Sequence, residues 1–92
     1  MSLKFEWDPE KAKINIKKHG VSFEEATTVF SDGLSATITD PIHSVHENRF
    51  LTIGQSQNHS ILVVAHTDRN DKIRIVSARL ATKKERILYE EN

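Results

Sequence analysis

Apolar and polar residues alternate most regularly in the second half of the chain. Ile61 to Thr67 and Ile73 to Arg79 are rich in β-branched side chains and bracket a charged stretch, Asp68-Arg69-Asn70-Asp71-Lys72, so they read as a hairpin. Glu47 to Gly54 reads as a further strand, with Gln55 to Ser60 as the polar turn after it. Leu34, Ala36 and Ile38 alternate with Ser35, Thr37 and Thr39, the pattern of a half-buried strand that Asp40-Pro41 ends. Phe5 and Trp7 flank Glu6, which fits a short first strand.

Helices fill the intervals. Asp8 can cap free N–H groups and Pro9 suits a first helical position, so a helix is predicted from there to about His19. Lys17, Lys18 and His19 sit at its negative end, and Gly20 can take the left-handed stop. Ser22 and Glu25 have capping-box spacing, and Phe23, Ala26 and Phe30 share one helical face before Asp32-Gly33. A second box, Thr82 to Glu85, opens a last helix with Ile87 and Leu88 as its apolar contacts. Residues 41–47 read as a loop. The order is β-α-α-β-β-β-β-α, an α+β fold: a mainly antiparallel sheet with helices packed on one face.

The hairpin register decides which side chains meet, because a one-residue slip flips every one of them. An odd-numbered turn with a bulge collects Ile61, Val63, Ala65, Ile73 and Ile75 on one face and sets His66 opposite Arg74. An even turn mixes polar and apolar residues on both faces, so the odd turn is preferred. On strict alternation Ser77 and Arg79 then fall on the apolar side, and Arg79 has to lie beyond the core or reach around the sheet end.

Composition changes this picture only in places. At 92 residues the chain fits one domain, residues 1–92. It has no cysteine, so neither disulfides nor a thiolate metal site are expected. No apolar run approaches the roughly 20 residues of a membrane span, and the polar N-terminus does not read as a signal peptide, so a cytoplasmic protein is expected. The formal net charge is zero. The charge is nevertheless segregated: residues 1–20 carry a net +2, residues 21–65 a net −4 and residues 66–86 a net +4. A local basic field of that kind steers anions whatever the total.

The ordered motifs then carry a resemblance. Phe5-Glu6-Trp7-Asp8-Pro9, the stretch Lys18 to Ala26, the strand Glu47 to Gly54, His66-Thr67-Asp68-Arg69, Ile73 to Arg79, and Glu85-Arg86 with Tyr89 together resemble the BrnT toxin family over nearly the whole chain. That resemblance implies a RelE-like fold, a ribonuclease activity that slows growth, and a neutralising BrnA-like antitoxin. Several relatives carry arginine where this chain has Leu80, Lys83 and Lys84.

RNA cleavage without a metal needs a base at the 2′-hydroxyl, cations on the phosphorane and an acid at the leaving 5′-oxygen. Arg74 and Arg79 suit the second role, because a guanidinium donates two parallel hydrogen bonds to phosphate oxygens. His66 is the natural acid–base candidate, since its unperturbed pKa lies near neutrality. Arg69, Ser77, Lys83, Lys84, Arg86 and Tyr89 complete the expected RNA-binding set. Lys83 and Lys84 at a helix start oppose the helix dipole, so local stability does not explain them. Tyr89 fits base stacking or core closure, and Phe5 and Trp7 fit the core. His43 and His46 have metal-ligand spacing, but a loop pair without cysteine reads better as ordinary histidines. No cofactor is expected.

The leading reading is a metal-independent endoribonuclease toxin of a type II toxin–antitoxin pair. The alternatives are a toxin on the same fold that inhibits a protein target such as a topoisomerase, and a non-catalytic partner of the antitoxin. The partners expected are RNA, the antitoxin and, only through the antitoxin, DNA. A dimer or a 2:2 toxin–antitoxin complex is the expected assembly.

Overall fold

The computed structural model describes residues 3–40, 42 and 48–91. The chain forms β1 (Phe5–Glu6), α1 (Pro9–His19), α2 (Phe23–Thr28) with a 3-10 turn over Val29–Ser31, β2 (Ala36–Thr39), β3 (Arg49–Gln55), β4 (Ile61–Arg69), β5 (Lys72–Leu80) and α3 (Lys83–Glu90). The element order and the α+β class are those of the sequence reading. The expected loop over residues 41–47, with His43 and His46, lies outside the described residues apart from Ile42.

Local chemistry sets the helix ends. Asp8 accepts from the Glu10 N–H at 2.8 Å, Pro9 follows it, and Gly20 closes α1 at φ 70°. Ser22 accepts from the Glu25 N–H, but Glu25 does not complete a box. Its carboxylate accepts instead from the Ser56 hydroxyl at 2.7 Å and ties α2 to the turn after β3. Thr82 and Glu85 do form the full reciprocal box.

Five strands lie in the order β1-β5-β4-β3-β2, antiparallel except for β1, which runs parallel to β5. The core joins Phe23, Ala26 and Val29 of the α2 segment to Leu62, Val64, Ile75 and Ala78 of the sheet, with Phe5, Trp7 and Phe30 packed at its margin. Gly54 permits the close approach of β3 to this segment. A Cβ there would stand 2.8 Å from Val29 Cγ1.

The register corrects the expected hairpin. The strands run on to Arg69 and Lys72, which pair directly, so the turn is the two residues Asn70 and Asp71. Asn70 takes a left-handed φ of 60°, which asparagine tolerates better than most side chains. The bulge exists, but in β5: Ala65 pairs with Ser77 and His66 with Ile75, leaving Val76 extra. The helix-facing residues are therefore Leu62, Val64, His66, Ile75 and Ala78, not the odd-numbered set of β4. Residues 62–67 are buried throughout, so alternation in β4 carried no information about which side faces the helices.

Two apolar expectations also change. In β2, Ile38 is exposed. In α3, Ile87 and Leu88 are 45% and 58% exposed, and Tyr89 is the residue that α3 buries. Leu88 and Tyr89 border a cleft whose sheet side is Ala36, Ile38, Leu51, Ile53 and Val63. Among the described residues no helix is long and apolar enough to cross a membrane.

Candidate nucleic-acid interface

The bulge at Val76 determines what β5 presents. Arg74 pairs with Thr67, Ser77 with Ala65 and Arg79 with Val63. Those three partners are alternate residues of β4, so they share one face, and side chains of paired residues lie on the same face. An even-numbered arginine and two odd-numbered residues are thereby brought to one side, away from the helix-packed core. Strict alternation had put Arg79 on the apolar face; the extra residue removes that conflict.

Each arginine meets a carboxylate. Arg74 Nη1 donates to Glu6 Oε2 at 3.1 Å, across the β1–β5 pairing that places Glu6 beside it. Arg79 donates twice to Glu85, at 2.7 and 2.9 Å. The paired guanidinium, helped by the N–H and hydroxyl of Thr82, holds the Glu85 carboxyl at about 2, well below the usual carboxylate range. The same bond raises the pKa of Arg79. Because Glu85 Oε1 also accepts from the Thr82 N–H at 2.8 Å, the Arg79 guanidinium is set against the first turn of α3. Lys83 and Lys84 are exposed on that turn.

His66 is not the neighbour of Arg74. It lies on the helix-facing side at 5% exposure, edge-on to Phe30 and stacked against Phe50. Nε2 is 2.7 Å from the Thr52 hydroxyl, which is 2.7 Å from that of Thr37. Nδ1 has no hydrogen-bond partner among the described residues. A neutral ring with its proton on Nε2 satisfies Thr52 and leaves only a lone pair at Nδ1, a cheaper group to bury than an N–H. Burial pushes the imidazole pKa down, against a weaker upward pull from Asp68.

This burial has a consequence for stability. Below about 6.5 the unfolded chain takes up a proton at His66 that the folded chain resists, so stability falls as pH drops from neutrality toward the folded pKa. Urea unfolding at pH 7.5 and 5.5 is expected to show that loss in the wild type and a smaller one in His66→Gln. Equal losses in both proteins would contradict the account.

Tyr89 is buried, and its hydroxyl donates to Asp32 Oδ2 at 2.5 Å. That bond, with burial, pushes the phenol up to about 12. The Gln55 N–H and then the Tyr89 hydroxyl lower the pKa of Asp32. Tyr89 thus fastens α3 to the segment after α2 and is not presented for stacking. Arg69 is exposed at the hairpin tip, and Arg86 borders a cleft with His59, Ser60, Ile61, Leu80 and Ala81.

One residue that shapes this face had no signal in the sequence. Asn15 of α1 is buried, and its side chain donates from Nδ2 to the carbonyls of Val21 (2.9 Å) and Ala78 (2.8 Å). Its Oδ1 accepts from the Ala78 N–H at 3.1 Å. β1 pairs only with Ile73 and Arg74, so the amide of Asn15 takes the place of a strand where the edge of β5 would otherwise be bare.

A family model described as the ribonuclease toxin BrnT of type II toxin–antitoxin systems matches residues 7–85. The 1.1 Å crystal structure of the Brucella abortus ribonuclease toxin BrnT is similar in fold, with a TM-score of 0.69 and 22% identity, covering 89% of this chain and all of that one. No curated protein matches the chain.

Proposed function

The chain belongs to the BrnT family of ribonuclease toxins of type II toxin–antitoxin systems, and from that membership we propose that it cleaves RNA without a metal ion, through the face of β5. The observation that carries this reading is the bulge at Val76, which brings Arg74, Ser77 and Arg79 to one face, with Arg79 set against the helix turn that carries Lys83 and Lys84. The 2′-oxygen attacks the adjacent phosphorus, the O2′–P bond forms and the P–O5′ bond breaks. The products are a 2′,3′-cyclic phosphate and a 5′-hydroxyl. The extra charge on the phosphorane is met by guanidinium, which offers the same two-point geometry to phosphate that Arg79 now offers to Glu85.

The phosphate takes the place of the Glu85 carboxylate on the guanidinium, so one bidentate charge-assisted pair is exchanged for another. Arg79, against the first turn of α3, takes the scissile phosphate. Arg74 takes a phosphate farther along the same RNA strand, since Thr67 and Val63, their partners, are four residues or about 13 Å apart along β4. His66 faces the core, so the proton leaves the 2′-hydroxyl to water and returns to O5′ from water. A BrnA-like antitoxin restrains this activity in the cytoplasm and supplies any contact with operator DNA. Purified protein is expected to cleave single-stranded RNA in the presence of EDTA, leaving cyclic phosphate ends. Folded protein that leaves RNA intact would sink the proposal.

A further inference from the structure

The two arginines of β5 start out paired with carboxylates, so unpaired cations nearby add to the field that gathers a polyanion. α1 supplies them at an unexpected place. A cleft between α1 and the edge of β5 beyond β1 is lined by Lys11, Ile14, Asn15, Lys18 and His19 on one side and Val76 and Ser77 on the other. Lys11 and Lys18 are exposed and form no ion pair among the described residues, unlike Lys13, which lies 3.8 Å from Glu10. Seven residues separate Lys11 from Lys18, two helical turns or about 10.5 Å, so they stand on one side of α1.

Two features argue against an incidental arrangement. Lys11 is the third residue of α1, where the helix dipole favours acids, so helix stability does not account for a lysine there. Ser77 belongs both to this cleft and to the face that carries Arg74 and Arg79, so the two surfaces are continuous. At about 160 Å³ the cleft is smaller than the 300 Å³ or more of ordinary small-molecule pockets, so it does not enclose a ligand of that kind.

We propose that the α1–β5 cleft is a second phosphate-binding track, in which Lys11 and Lys18 hold the RNA backbone next to the cleavage site and Ser77 marks the passage between the two. This rests on RNA being the substrate of the β5 face. The track contributes non-specific grip: each contacted phosphate releases counterions, and affinity falls with salt accordingly.

The test uses a short single-stranded RNA that is fully 2′-O-methylated and cannot be cleaved. Its affinity is measured between 50 and 200 mM salt for the wild type, Lys11→Gln/Lys18→Gln and Lys13→Gln/Lys17→Gln. Both variants lose the same charge from exposed positions of the same helix, and glutamine keeps the helix propensity of lysine. The cleft pair is expected to flatten the slope of log K against log salt by about 1.4, as two single-strand contacts require. Over that salt range the wild type then loses about sevenfold more affinity than the cleft variant. The control pair is expected to keep nearly the wild-type slope. Equal slopes for the two variants, or no change in the cleft pair, would overturn the track. Wild type that shows the slope difference yet leaves unmodified RNA uncut would overturn the ribonuclease proposal and leave the track standing.

Discussion

Arg79→Ala is expected to lower the rate of RNA cleavage by about 10²–10³ while leaving the protein folded. The size follows from the role: a donor whose bonds strengthen as further charge develops on the phosphorane acts mainly on kcat. The fold survives because the pair lost is partly exposed and Glu85 keeps its reciprocal cap with Thr82. Glu85→Gln separates the two readings of that pair. It breaks the same ion pair, and a glutamine still completes the box with Thr82. If Arg79 serves only to anchor α3, the two variants behave alike. If it serves the phosphate, Glu85→Gln keeps or raises activity, since it frees the guanidinium. Arg74→Ala gives a third signature. A contact with a phosphate about 13 Å along the strand is the same in ground and transition states, so KM rises and kcat holds. Steady-state cleavage of one RNA by the three variants, with melting curves alongside, decides the matter. Unchanged kcat in Arg79→Ala would remove that residue from the chemistry.

The sequence was most informative where one local rule applied to one place. Asp8-Pro9, Gly20 and the Thr82 to Glu85 box each marked a helix end that the structure keeps. It was least informative where two elements had to be placed against each other. β4 is buried on both sides, so its alternation could not say whether His66 faces the core or the solvent. The basic residues of β5 were recognised, and so was the need for a bulge. Its position at Val76 depends on how the strands pair, and it reverses the relation expected between His66 and Arg74. The pairing of Arg79 with Glu85 was hidden for the same reason: Glu85 looks like a cap, and it is one, but the strand end returns beside it. In α1 the pattern misleads outright. Ile14 and Ile16 are exposed, and the polar residue between them is buried.

That buried residue supports the largest stability effect expected here. Asn15→Ala removes one amide and strands three backbone groups, the carbonyls of Val21 and Ala78 and the N–H of Ala78. A buried donor or acceptor left without a partner costs about 1–3 kcal/mol, so the sum is on the order of 3–5 kcal/mol. A domain of this size has about 5–15 kcal/mol in all, and the melting temperature should fall on the order of 15 °C. Asn15→Asp sharpens the argument. Its carboxyl can still accept from the Ala78 N–H, but an ionised oxygen would face the two carbonyls. Burial and those carbonyls favour the protonated acid, which can donate. The folded state then binds a proton more tightly than the unfolded one, so this variant gains stability as pH falls, opposite to the trend that His66 imposes on the wild type. Urea unfolding of Asn15→Ala and Asn15→Asp at neutral and mildly acidic pH measures both effects. A melting temperature within a few degrees of wild type for Asn15→Ala would mean that the edge of β5 finds other partners. The expected loss would instead establish that the outer edge of the strand bearing Arg74, Ser77 and Arg79 relies on a single side chain from α1.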